Sequence, residues 1–194
     1  MMARLRIFDV DAAIETATDL FWRHGYERTS LTDLTGAIGI TPPSFYHAFG
    51  SKEGLFRKVL QHYRDTRLAY AEEAVNCPTA REVAETMLSR FAELYTDPVY
   101  PPGCLAVNCS LAGGAPDGAM GSELTALRDA RRARLRKRFE QAQETGDLAA
   151  DADPEALARF LMTVGWGMAS DARSGASRAE LLHTAEIALR AWPD

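Results

Sequence analysis

Basic charge is in short supply in this sequence: 22 lysines and arginines stand against 27 acidic residues, a net charge of −5 over 194 residues. Bulk attraction to a polyanion is absent, so any nucleic-acid contact must rest on a few cations placed locally. The leading segment is no exception, since Arg4, Arg6, Arg23 and Arg28 are outnumbered by Asp9, Asp11, Glu15, Asp19, Glu27 and Asp33. Cysteine is scarce as well. Cys77, Cys104 and Cys109 are odd in number and lack metal-ligand spacing, which argues against a disulfide scaffold or a metal site and suits a reducing cytoplasm. Long apolar runs are missing: Phe160 to Ala169 falls far short of the roughly 20 residues a membrane span needs, and Met1 to Phe8 is too mixed for a signal peptide. The expected location is the cytoplasm, with no membrane partner. No period-two alternation and no internal repeat appear, so the expected fold is all-α. Chemistry-bearing clusters are also wanting. There is no nucleophile–base pair, paired carboxylates or phosphate loop, and His24, His47, His62 and His183 share no spacing. No cofactor is expected, and an enzyme is not the leading reading.

What the chain does have is helical periodicity cut by clear stops. Val10, Ala13, Ile14, Ala17, Leu20 and Phe21 predict an amphipathic helix over about 9–24, ended by Gly25. Leu31, Leu34 and Ile38 mark a short second helix, with Gly39 where the chain must leave it. Thr41 is an N-cap candidate and Pro42 sits at the first helical position, where its missing N–H costs nothing. Phe45 and Phe49 turn one side of this third helix inward and leave Ser44, Tyr46 and His47 pointing elsewhere. Two short helices joined this way are a helix-turn-helix. Gly50, Ser51 and Lys52-Glu53 then open a long helix expected to run to about Asn76.

Beyond Pro78-Thr79, a broad apolar stripe from Val83 to Tyr95 predicts another helix, followed by a loop at Asp97-Pro98 and Pro101-Pro102-Gly103. Cys104 to Gly113 reads as a short apolar helix. Glu123 to Thr145 reads as a long charged one carrying Arg128, Arg131, Arg132, Arg134, Arg136, Lys137 and Arg138. Such a run is either a nucleic-acid patch or a solvated face whose charges meet acids elsewhere, and the second is the commoner case. The last two helices are expected from Pro154 and from Ser177 to Trp192. The former is apolar on more than one side and so needs two partners, with Gly165 and Gly167 permitting close approach.

The series Thr29, Leu34, Gly39-Ile40-Thr41, Phe45-Tyr46, Phe49 and Ser51-Lys52-Glu53-Gly54-Leu55-Phe56 closely resembles the N-terminal signature of the TetR family of bacterial transcriptional regulators. The match is specific because its residues serve separate structural jobs at fixed offsets. The resemblance implies a head over 1–50 and an effector-binding and dimerisation domain over 51–194. It implies a sequence-specific DNA-binding regulator, in the usual case a repressor released from a near-palindromic operator by a small molecule or electrophile. Thr29, Ser30 or Thr32, with Tyr46, His47 and Lys52, would then bind phosphate, leaving Thr41, Pro42, Pro43 and Ser44 to meet bases of double-stranded DNA. Pro42-Pro43 departs from members carrying lysine or glycine, which favours apolar contact with thymine methyls plus a hydroxyl bond from Thr41 or Ser44. A homodimer is expected through 153–171 and 177–192.

Met87, Phe91, Tyr95, Cys104, Leu105, Asn108, Met162 and Trp166 are the candidate lining of an effector pocket, although any helical bundle needs such a stripe for its core. Pro102-Gly103-Cys104-Leu105 with Asn108 further resembles a subgroup in which a cysteine at this helix start senses electrophiles or oxidants. The competing readings are an all-α enzyme whose head only looks like a DNA reader, and a DNA-architectural protein without an effector.

Overall fold

A computed structural model describes residues 8–112 and 119–193, and among these the chain is helical with no strand. Ten helices follow in order: α1 (Val10–His24), α2 (Leu31–Ile38), α3 (Pro42–Phe49), α4 (Lys52–Arg67), α5 (Tyr70–Val75), α6 (Ala80–Tyr95), α7 (Leu105–Ala112), α8 (Ala119–Glu144), α9 (Pro154–Arg173) and α10 (Arg178–Arg190). The glycine at 113 that was to end α7 lies outside the described residues.

Local chemistry fixes the first three helices. The Asp9 carboxylate accepts from the backbone N–H groups of Asp11 and Ala12 to start α1. Ser30 and Asp33 cap each other across the first turn of α2, and Gly39 leaves that helix in the left-handed conformation at φ 75°. The Thr41 hydroxyl accepts from the Ser44 N–H to start α3. Leu34, Phe45, Phe49, Leu55 and Phe56 meet Ala17 and Phe21 of α1 in a shared core. Burying each of the larger side chains stabilises the head by roughly 1.5–3 kcal/mol.

The long helix expected over 51–76 is two helices, not one. It breaks at Leu68, whose backbone leaves the helical region and whose side chain is buried. The turn lays α5 along α6, with Tyr70 edge-on to Phe91 at 6.0 Å. No proline or glycine marks this bend, so periodicity alone could not show it. The body packs α6 between α9 and α10, and α8 lies along α9. Gly165 makes that packing possible, because a Cβ there would stand 2.4 Å from the Phe91 ring. The acidic loop after α8 also has a role, since Asp147 accepts from the Ala80 N–H at 2.6 Å and caps α6 from outside its own helix.

Candidate functional site

Helix α3 is held from below and bare on top. Phe45 and Phe49 are buried, whereas Thr41, Pro42, Pro43, Tyr46 and His47 are exposed and Ser44 is half-buried. The Thr41 and Ser44 hydroxyls lie 3.0 Å apart, so the two polar groups of the tip form one donor–acceptor pair beside the prolines. Tyr46 is 52% exposed, its ring resting edge-on against Phe45 at 5.8 Å. That leaves its hydroxyl free to reach a phosphate.

The flanking residues divide. Thr32 is exposed at the start of α2. Lys52 is half-buried with its ammonium 4.2 Å from the centre of the Tyr26 ring, and burial lowers its pKa against the pull of Glu27, Glu53 and Asp33. Tyr26 is itself anchored by its hydroxyl to Glu53 at 3.0 Å, so Lys52 stands on a fixed platform. Ser30 is exposed, but its hydroxyl and N–H both serve Asp33, which places a carboxylate at the start of α2. Thr29 is a correction. It is buried, and its hydroxyl donates to the Gly25 carbonyl at 2.8 Å, so it closes the turn before α2 and cannot reach a phosphate.

A cavity of about 460 Å³ opens between α6, α7, α8 and α9. Tyr95, Cys104, Met162 and Trp166 line it as expected, joined by Val107, Leu111, Leu124, Arg128 and Arg131. Four expected members do not line it. Met87 borders a separate cavity of about 200 Å³ on the far side of Arg131. Phe91 is buried beneath Gly165 and stacks on Tyr95 at 5.4 Å. Leu105 and Asn108 fall on the opposite side of α7, where Leu105 is fully buried. There Asn108 donates to the Trp22 carbonyl at 3.2 Å and the Pro102 carbonyl at 3.1 Å. Opposite faces of α7 thus meet the cavity and the head. Cys109 is of the second kind. Its thiol donates to the Phe21 carbonyl at 3.4 Å, and burial pushes its pKa up to about 12, which makes it a poor nucleophile. Cys104 is buried at the cavity wall and its sulfur accepts from the Tyr63 hydroxyl at 3.6 Å.

Sequence reasoning missed Arg131, which it left in a charged face. The signal was present: Leu124, Arg128, Arg131 and Leu135 keep helical spacing, so Arg131 occupies an apolar register position. Its guanidinium donates to the Tyr70 hydroxyl at 3.1 Å, across the bend that parts α5 from α4.

On the outer side of α9 and α10, Phe160, Val164 and Leu182 are half-buried, while Gly167 and Ile187 are exposed. Leu161, Met168, Leu181 and Trp192 point inward, the last against Phe139 at 5.3 Å. Among the described residues, no helix is long and apolar enough to cross a membrane.

Known proteins agree with this geometry at both ends of the chain. Residues 13–59 match the family described as bacterial regulatory proteins, tetR family, and residues 79–187 match the tetracyclin repressor-like C-terminal domain. The HTH-type transcriptional repressor ComR of Escherichia coli K12 is 36% identical, covering 98% of this chain and 92% of its own. BdcR, an HTH-type transcriptional repressor of the same organism, is 31% identical over 95% of this chain and 89% of its own. Among solved structures, a cysteine mutant of the regulator CifR bound to 26-base-pair operator DNA is 42% identical with a TM-score of 0.92, covering 98% of this chain and all of that one. The chain is accordingly a sequence-specific DNA-binding transcriptional regulator of the repressor kind. With a helix-turn-helix presented outward, a helical body behind it and both family signatures in register, this protein belongs to the TetR family of bacterial transcriptional regulators.

Proposed function

We propose that α3 enters the major groove of a near-palindromic operator and that a small molecule in the cavity between α6 and α9 releases it. The carrying observation is the bare upper face of α3, where Thr41, Pro42, Pro43 and Ser44 lead and Tyr46 and His47 follow. The hydroxyl pair and the two prolines meet base edges and thymine methyls. Thr32, Tyr46, His47 and Lys52 hold phosphates and fix the register. The reading unit is 1–50, with α4 lending Leu55 and Phe56 to its core, and 51–194 carries effector and partner.

One such head makes few contacts, so two copies are needed on one site. They join through 153–171 and 177–192, burying the outward Phe160, Val164 and Ile187, with Gly167 letting the helices approach. Helix α7 carries the signal. A ligand that shifts its cavity side moves Asn108 and Cys109, and with them the carbonyls at the end of α1. It acts only by its preference for the head spacing that misses the operator. Cys104 gives an electrophile a second way to act on the same helix. The protein works in the cytoplasm and has no catalytic step.

Selection of bound DNA from a random pool, with the mass of the complex read by light scattering, tests the reading. The expected result is an inverted repeat bound by two copies. An unenriched pool would leave an architectural protein, and a monomer at micromolar concentration would remove the dimer.

A further inference from the structure

Resting on the effector reading, we propose that the cavity takes an organic anion: a molecule with one carboxylate head, held by Arg131, on an apolar body. The basis is a charge left without a counterpart. Of the arginines on α8, Arg132 pairs with Asp129 and Glu155, Arg136 pairs with Glu140 and Glu155, and Arg138 donates to three backbone carbonyls. Arg128 has Asp129 beside it at 3.5 Å. Among the described residues, Arg131 has no carboxylate within ion-pair distance, and its hydrogen bond goes to a neutral phenol. Burial raises the pKa values of Tyr63, Tyr70 and Tyr95 above the ordinary tyrosine value, so none of these supplies a phenolate.

The chamber follows the same pattern. Two guanidiniums, Arg128 and Arg131, border it, and no described Asp or Glu does, although the whole chain carries a net −5. A charge held away from water is tolerated when an ion of opposite sign completes it. A guanidinium offers a planar fork that fits a carboxylate with two parallel hydrogen bonds. Arg128 rests over the Trp166 ring at 4.9 Å, close to the same space, and has N–H donors besides the Nε that faces Asp129. Val107, Leu111, Leu124, Met162 and Trp166 supply an apolar wall for the rest of the ligand. The volume of about 460 Å³ lies within the roughly 300–1,000 Å³ typical of small-molecule sites. A neutral ligand of the same shape would leave the fork open.

The test uses the full-length protein and a panel of acids (benzoate, 4-phenylbutyrate and decanoate), each paired with its own amide, titrated by calorimetry at pH 7. At least one acid should bind about tenfold or more tightly than its amide. Arg131→Met, which keeps the volume, should erase that preference while the circular dichroism spectrum stays that of the wild type. Arg128→Gln should weaken the preference in part. The proposal is overturned if no acid outranks its amide, or if the preference survives Arg131→Met with a normal circular dichroism spectrum. Operator release is scored separately. Acids that bind through Arg131 without releasing DNA would sink the effector reading and leave the site. Release by a neutral electrophile with no acid bound would do the reverse.

Discussion

The head and the body are stitched together on different length scales. In the head, the caps of α1, α2 and α3 are closed by residues two or three positions away, and the long-range bond of Tyr26 to Glu53 spans 27. In the body, Thr79, Asp153 and Ser177 cap their helices just as locally, but the contacts between helices reach farther. Arg138 to Pro78 and Ala80 to Asp147 join residues 60 and 67 apart, and Asn108 to Trp22 and Cys109 to Phe21 tie the body to the head across 86 and 88. A unit closed by near neighbours holds its shape while its surface meets DNA. A unit closed by distant partners has joints, and a ligand can act on joints.

The strongest way to break the comparison is to empty the core of the head. Phe45 is fully buried, and Phe45→Ala should cost about 3–5 kcal/mol through lost burial and the cavity left behind. Operator binding should vanish while the helices of the body persist, visible as an early separate transition in thermal unfolding by circular dichroism. A single transition shifted as a whole would show that head and body are one cooperative unit and that the contrast is only geometric. The body's counterpart is Arg138, which ties the carbonyls of Val75, Cys77 and Pro78 to α8. Arg138→Ala should cost about 2 kcal/mol, measured by urea unfolding, since charge-assisted bonds are lost and two of the three are part-buried. Its effect should fall on the body transition and spare the head.

The same contrast decides what could be read in advance. Gly25, Gly39, Thr41-Pro42 and Gly50-Ser51 are local signals, and they place α1 to α3 and the start of α4 within a residue or so. The break at Leu68 is tertiary, set by α6 and by Arg131 reaching Tyr70, and nothing in the local sequence announces it. The candidate pocket residues divide for the same reason. Tyr95, Cys104, Met162 and Trp166 line the cavity, but the side of α7 that faces it depends on where α1 docks. Asn108 and Leu105 therefore went to the wrong side. Thr29 shows the opposite failure, a family position assigned to phosphate whose hydroxyl is consumed by its own turn.

A gentler perturbation sharpens the contrast by stabilising the head alone. Gly36 lies inside α2, and a Cβ built there meets nothing within 4 Å. Gly36→Ala should raise the stability of the head by about 1 kcal/mol. The gain should appear as a later head transition with the body unmoved.

The smallest expected effect is electrostatic and carries a sign. Hydrogen bonds from the Ser30 side chain, then from its backbone, hold the Asp33 carboxyl below its ordinary pKa. A group depressed in the folded state contributes stability that is fully present above its unfolded pKa and lost as pH falls through the lower folded value. The head should therefore weaken below the normal carboxylate range, and Asp33→Asn should lack that part of the pH slope. Asp33 is exposed, so salt screens the effect and it stays small. The body offers the control, because Glu180 and Ser177 build the same box on α10 with the same direction of shift. If local closure governs the head alone, Glu180→Gln should leave operator binding unchanged across that range while Asp33→Asn alters it. Equal effects would mean that the end of α10 reaches the reading helix, and the separation drawn from the hydrogen bonds would not hold.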